Sequence, residues 1–196
     1  MHPTRVFFFL ALTLFACGSA LGQRPGPEFW RKVGCEPFEP RTKLEAIDER
    51  HSTVIIKAFT RITTIEVRGV RIDAVDMREM GGAARARGVV ISLREEGGRT
   101  DDNRAFIDYE EIDALLNAID ALARLDETMT RMPGFEGRYR TLGDLEIGVF
   151  RQTRSGAAVI LSTGICERAT QTMTLDDLAK VKAMIQEAKT RLDENR

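Results

Sequence analysis

The chain has 196 residues, 43% of them hydrophobic, and its charged side chains nearly cancel to a formal net charge of −1. That supplies one core, or two half-domains sharing a core, and gives the whole molecule no strong field for nucleic acid or an anionic membrane. Histidine occurs only at His2 and His51, which all but excludes sites built on His clusters, a His-liganded zinc or a Cys/His nucleophile pair.

Residues 1–22 read as a secretory signal peptide. Arg5 precedes the apolar run Val6 to Ala16, and small residues follow at Cys17, Gly18, Ser19, Ala20 and Gly22. The run is shorter than the roughly 20 residues a membrane-spanning helix needs. The expected location is therefore outside the cytoplasm: periplasmic, secreted or lipid-anchored at the envelope. Cleavage after Ala20 or Gly22 fits ordinary signal peptidase. Leu14-Phe15-Ala16-Cys17 resembles the lipobox of bacterial lipoproteins instead, which implies lipidation of Cys17 and attachment to a membrane through that lipid. With Cys17 removed or lipidated, Cys35 and Cys166 form an even pair and a candidate disulfide. The alternative is a free Cys35 and a Cys166 used as a small apolar strand residue.

Residues 23–51 form a proline-rich arm and a short helix. Pro25, Pro27, Pro37 and Pro40 forbid a helix and favour extended chain, with Phe29, Trp30 and Phe38 available for docking. Thr42 to Arg50 reads as a helix capped at Thr42, with Leu44 and Ile47 or Ala46 on one side.

From Ser52 the period changes to that of strands. Thr53 to Phe59, Ile62 to Val67 and Val70 to Met77 are β-branched or alternating, and Val89 to Leu93 and Ala105 to Ile107 follow. Gly69, Gly81-Gly82 and Gly97-Gly98 punctuate them. Asp108 and Glu111 stand at cap and N3 spacing before a helix whose apolar stripe is Ile112, Leu115, Leu116, Ile119 and Leu122. After Met132-Pro133-Gly134, strands are expected at Phe135 to Thr141, Asp144 to Gln152, Ala157 to Ser162 and Cys166 to Met173. A helix from Leu175 to Leu192 ends the chain, capped by Thr174 with Asp177 at N3.

Sliding the first helix onto the second without a gap puts Asp108 on Thr174, Glu111 on Asp177, Ile112 on Leu178, Leu115 on Val181 and Ile119 on Ile185. Caps and stripe coincide together, which marks an internal duplication. The expected fold is α+β: two ββββα repeats, 52–130 and 131–196, with antiparallel sheets each covered by a helix.

This element order resembles the Whirly-like single-stranded nucleic-acid-binding proteins, whose half-repeat is also similar to the domain of the transcriptional coactivator called positive cofactor four. Phe106-Ile-Asp-Tyr-Glu-Glu-Ile112 and Tyr139-Arg-Thr-Leu-Gly-Asp-Leu-Glu-Ile-Gly-Val-Phe150 are in addition similar to stretches of exported bacterial proteins of unknown function. The Whirly resemblance implies a strand-binding sheet surface and assigns no residue here, because the lysine-glycine-rich motif of those proteins has no counterpart.

The candidate binding surface lies in the second repeat, where Arg138, Arg140, Arg151 and Arg154 stand near Tyr139 and Phe150. In the first repeat Arg61, Arg68, Arg71 and Arg78 share the early strands. Cations interleaved with aromatics suit phosphates and stacked bases; interspersed acids at Glu66, Asp73, Asp76, Asp144 and Glu146 suit cross-strand pairing instead. Carboxylate pairs that could serve acid/base chemistry or calcium are Asp73 with Asp76, Glu95 with Glu96 and Asp101 with Asp102. No catalytic residue, cofactor or metal is expected. Three functions follow in order: an exported non-enzymatic binding or scaffold module with an envelope or extracellular partner, a Whirly-like single-stranded nucleic-acid binder, and a carboxylate-based hydrolase.

Overall fold

Period-two alternation from Ile55 onward builds two four-stranded antiparallel sheets in the computed structural model. The first runs β1 (Ile55–Arg61), β2 (Val70–Glu79), β3 (Arg85–Leu93), β4 (Arg104–Asp108), and the second β5 (Gly134–Arg140), β6 (Glu146–Gln152), β7 (Gly156–Thr163), β8 (Ala169–Met173), each in simple spatial order. The first sheet is preceded by α1 (Lys43–Asp48) and followed, through a 3-10 turn at Tyr109–Glu111, by α2 (Ile112–Ala123); the second is followed by α3 (Leu175–Glu194). The fold is α+β with two ββββα repeats.

The structure describes residues 39–94, 103–125, 132, 134–152, 156–164 and 168–195. All of them belong to the second of the chain's two units, Pro37–Arg196. The signal peptide, most of the proline-rich arm, Cys17, Cys35, Cys166 and Arg154 lie outside the described residues.

The duplicated helix stripes are the deepest part of the core. Ile112 and Leu178, Leu115 and Val181, and Ile119 and Ile185 are each no more than 1% exposed. They join Ile72, Val89, Ile91 and Ile107 from the first sheet and Ile147, Val149, Val159 and Leu161 from the second in one cluster. Burying each such side chain is worth about 1.5–3 kcal/mol. The helices are exchanged between the halves: α3 lies across β1, β2 and β3 of the first sheet, reaching β7 of its own, while α2 packs on β5 and β6 of the second. Each sheet is covered, but chiefly by the other repeat's helix.

Three local expectations are corrected. Ile62 to Val67 is no strand; it carries a single bridge, from Val67 to Val70. Ile62 donates its N–H to the Ile72 carbonyl at 3.0 Å, and Ile62 and Val67 are buried in the common core, so these β-branched residues plug the β1–β2 connection. Ala46 of α1 is exposed, whereas Leu44 and Ile47 are buried. Asp108 makes no side-chain cap to the turn that follows it. Its carboxylate instead accepts the N–H groups of Lys43 and Leu44 at 2.8 and 3.1 Å, and Glu111 accepts the N–H of Leu142, in the second repeat, at 3.0 Å. The two capping boxes that do form are Thr42 with Glu45 on α1 and Thr174 with Asp177 on α3.

Candidate functional site

Helix α1 covers only part of the first sheet's outer face. Leu44 and Ile47 pack with Val75, Met77, Ala86, Val90 and Phe106 in a second, smaller core. What remains beside them is set by register. Arg61 is opposite Asp73, Phe59 opposite Val75, and Arg71 opposite Ser92, which is itself opposite Arg104. Because side chains alternate along a strand and align across a ladder, all of these stand on one face. Lys57, Phe59, Arg61, Arg71, Asp73 and Arg104 border a groove of about 200 Å³ floored by Val75 and Val90.

The groove is cationic. Asp73, 6% exposed, accepts Arg61 Nε at 3.0 Å through one oxygen and meets Arg71 Nε at 3.2 Å through the other. Arg61 gives that contact one of its five N–H donors, and Arg71 meets Asp73 as an ion pair. Asp48 lies 3.7 Å from Lys57 Nζ and 3.9 Å from Arg104, longer than hydrogen bonds. Lys57 and Arg104 stand 5.9 and 5.5 Å from the centroid of the Phe106 ring, within cation–π range. Four cations thus share two carboxylates. Phe59 beside them is 61% exposed, and Ser92, 6% exposed, has a buried hydroxyl without a hydrogen-bond partner.

The surface expected in the second repeat is divided by the pleat. Arg138 and Arg140 are exposed, while Tyr139 between them points the other way and packs against the common core. Burial raises the Tyr139 phenol and the nearby Glu111 charge adds to the rise. Phe150, opposite Glu136, is half-buried. Arg151 belongs to β6, with its backbone opposite Phe135, and Arg154 lies outside the described residues.

Of that surface, Arg138 and Arg140 are paired, as is Arg168 beside them. Arg138 meets Glu136 at 3.0 Å and Glu146 at 3.8 Å; Arg140 meets Asp144 at 3.0 Å; Arg168 meets Glu146 at 3.0 Å. Burial works to raise the Glu146 carboxyl, but the Arg168 hydrogen bond and the charges of Arg168, Arg138 and Arg140 outweigh it and hold Glu146 below its ordinary value. Asp144 is 1% exposed and is reached by Arg41 as well, at 3.0 Å.

The carboxylate pair Asp73 and Asp76 does not converge. An odd spacing on β2 sends them to opposite faces, Asp73 to Arg61 and Arg71, Asp76 to Arg85. Glu95, Glu96, Asp101 and Asp102 lie outside the described residues. Of the first-repeat arginines, Arg61 and Arg71 reach the groove, Arg78 takes the opposite face, and Arg68 sits in the turn before β2. Sequence reading missed Lys57, Phe59, Ser92 and Arg104. The signal was present in the period: Lys57, Phe59 and Arg61 occupy one face of β1, and Arg104 and Phe106 one face of β4.

Among the described residues no group of three or more His, Cys, Asp or Glu side chains is placed to hold a metal ion, and no helix is long and apolar enough to cross a membrane. No protein-family model matches the chain, and no curated protein or solved structure matches it either.

Proposed function

We propose that the protein is an exported, non-enzymatic binding module that holds an anionic partner on the outer face of its first sheet. The observation that carries the reading is the convergence of Lys57, Arg61, Arg71 and Arg104, from three strands, around one groove with two carboxylates between them. Dispersed exposed arginines would each be solvated alone; these share a concave surface, where fields add. Asp73 and Asp76 support the non-enzymatic part, since each is committed to arginine on its own face. Export rests on the signal-peptide pattern of residues 1–22.

A second reading, single-stranded nucleic acid as the anionic partner, is favoured by Phe59. An aromatic ring 61% exposed beside four cations is what base stacking over a phosphate path requires.

Binding at low ionic strength tests the function. Oligothymidylate and small aromatic anions such as benzoate and phenyl phosphate are titrated by calorimetry into the full chain and into Arg61→Gln and Phe59→Ala. Binding that weakens with salt and in both variants supports the reading; no binding of any anion refutes it. Oligothymidylate selects the second reading if it alone binds. The intact mass of protein recovered from expressing bacteria tests export, with an amino terminus at Leu21, Gln23 or lipidated Cys17 as the expected result.

A further inference from the structure

The row Arg71, Ser92, Arg104 runs straight across β2, β3 and β4 on the outer face. The register sets an arginine on either side of a serine whose hydroxyl is buried and has no partner. A buried polar group left unpaired costs free energy and calls for an explanation. A second depression, of about 220 Å³, lies at the Arg71 and Ser92 end of the row; it is bordered by Gly69, Val70, Arg71, Ser92, Leu93 and Arg94 and shares Arg71 with the groove, which Arg104 borders. Arg71 meets Asp73 through Nε and Arg104 meets Asp48 only at 3.9 Å, so the carboxylates engage each fork at one edge. Two arginines aligned across the ladder with a hydroxyl-bearing residue between them match an acceptor with several oxygens disposed in three dimensions. A carboxylate offers two oxygens in a plane; a phosphate group offers enough for both forks and the hydroxyl.

We propose that a phosphate group binds between Arg71 and Arg104 against the Ser92 hydroxyl, as the anion subsite of the first sheet's outer face. The subsite rests on the reading of that face as an anion-binding surface. The phosphate oxygens accept from both guanidinium groups and from Ser92; Phe59, opposite Val75, stands four residues along β2 from Arg71, about 13 Å down the same face, beyond the reach of a phosphate held at Ser92. Free phosphate and a phosphate monoester share this chemistry.

Inorganic phosphate and phenyl phosphate are titrated into the full chain at low ionic strength, with amide shifts followed by NMR. Arg71→Gln and Arg104→Gln each lower phosphate affinity by about 10-fold or more, the loss of one charge-assisted contact, and Ser92→Ala lowers it by a smaller factor. Arg85→Gln, on the opposite face of the same sheet, leaves it unchanged, and the largest shifts fall at Arg71, Ser92 and Arg104. Phenyl phosphate binding more tightly than phosphate assigns the site to esters; equal affinities assign it to free phosphate. If phosphate binds but Arg71→Gln and Arg104→Gln match the parent while Arg61→Gln or Lys57→Gln abolishes binding, the subsite is overturned and the anion-binding face stands. If phosphate does not bind while benzoate or oligothymidylate does, the subsite again fails alone. Silence from every anion removes both. These variants all replace side chains at the surface or with a smaller group, and an unchanged melting temperature confirms that each is folded.

Discussion

The Asp108 carboxylate accepts the backbone N–H of Leu44 at 3.1 Å, across 64 residues of chain. With the Lys43 N–H at 2.8 Å, this makes the end of β4 a cap for α1, which carries Leu44 and Ile47 onto the outer face. Asp108→Ala is expected to destabilise the protein by about 1–2 kcal/mol, as a lost helix cap does, and Asp108→Asn by less. Hydrogen exchange would localise the loss to residues 43–48. Loss of protection in the first turn of α2, with α1 unaffected, would contradict this and restore a local capping role.

Gly143 joins the two halves through a backbone bridge to Phe106. A Cβ at this position would lie 1.9 Å from the Phe106 carbonyl oxygen, which is main chain and cannot rotate away. Gly143→Ala should cost about 1–3 kcal/mol, the range of an overpacked site. Gly81 offers the contrast: its φ is +79°, and a Cβ there meets nothing within 4 Å, so Gly81→Ala pays only left-handed strain of about 1 kcal/mol. Urea denaturation of both variants separates contact from strain. Equal, small losses would show that the seam yields.

Glu111 provides a pH dependence. Its burial raises the carboxyl, the hydrogen bond from the Leu142 N–H works the other way, and the charges of Asp108 and Glu45 add to the net rise. One of its oxygens is buried without a partner. A folded-state pKa above the unfolded one means that the native state binds more protons in the window between them. Stability therefore falls as pH rises from the ordinary carboxylate value through the raised one. Glu111→Gln keeps an acceptor for Leu142 and removes the charge. Its stability relative to the parent should increase as pH rises from the ordinary carboxylate range through the raised value of Glu111. A difference that stays flat over this range would show that Glu111 does not titrate abnormally.

Phe59 separates binding from folding. It is exposed on the edge strand β1, so Phe59→Ala should leave stability within about 0.5 kcal/mol of the parent, as surface substitutions do. The same change should weaken an aromatic or nucleic-acid ligand by about 1–3 kcal/mol if the ring stacks. Thermal melts and calorimetry on one protein preparation check both halves. A large stability loss would mean that the ring packs in the folded state.

The repeats were legible because what marks them is local. Thr174 with Asp177 needs three residues of spacing, and the stripe from Leu178 to Ile185 needs two turns. Which sheet a stripe covers depends on contacts between distant segments, and nothing in the period of Leu115 or Val181 announces that the helices exchange sheets. Asp108 shows the same limit at one residue: its spacing to Glu111 imitates a cap, but the donors that it finds are 64 and 65 positions away. The candidate surface of the second repeat is divided for another reason. Arg138, Tyr139 and Arg140 are neighbours in sequence and so stand on alternate faces, whereas Arg61, Arg71 and Arg104 become neighbours only once the ladders form.

The exchanged helices also set when the chain can fold. The first sheet's inner face is closed by α3, whose Leu178 to Leu192 come last in the sequence, and the two hydrogen bonds Thr163 to Asn103 and Gln171 to Arg94 tie the late strands to the early hairpin. A nascent chain that has exposed only its first repeat holds an open apolar sheet with no lid. Closure waits until α3 has been made, so the first repeat is the part that a holding chaperone would have to shield longest.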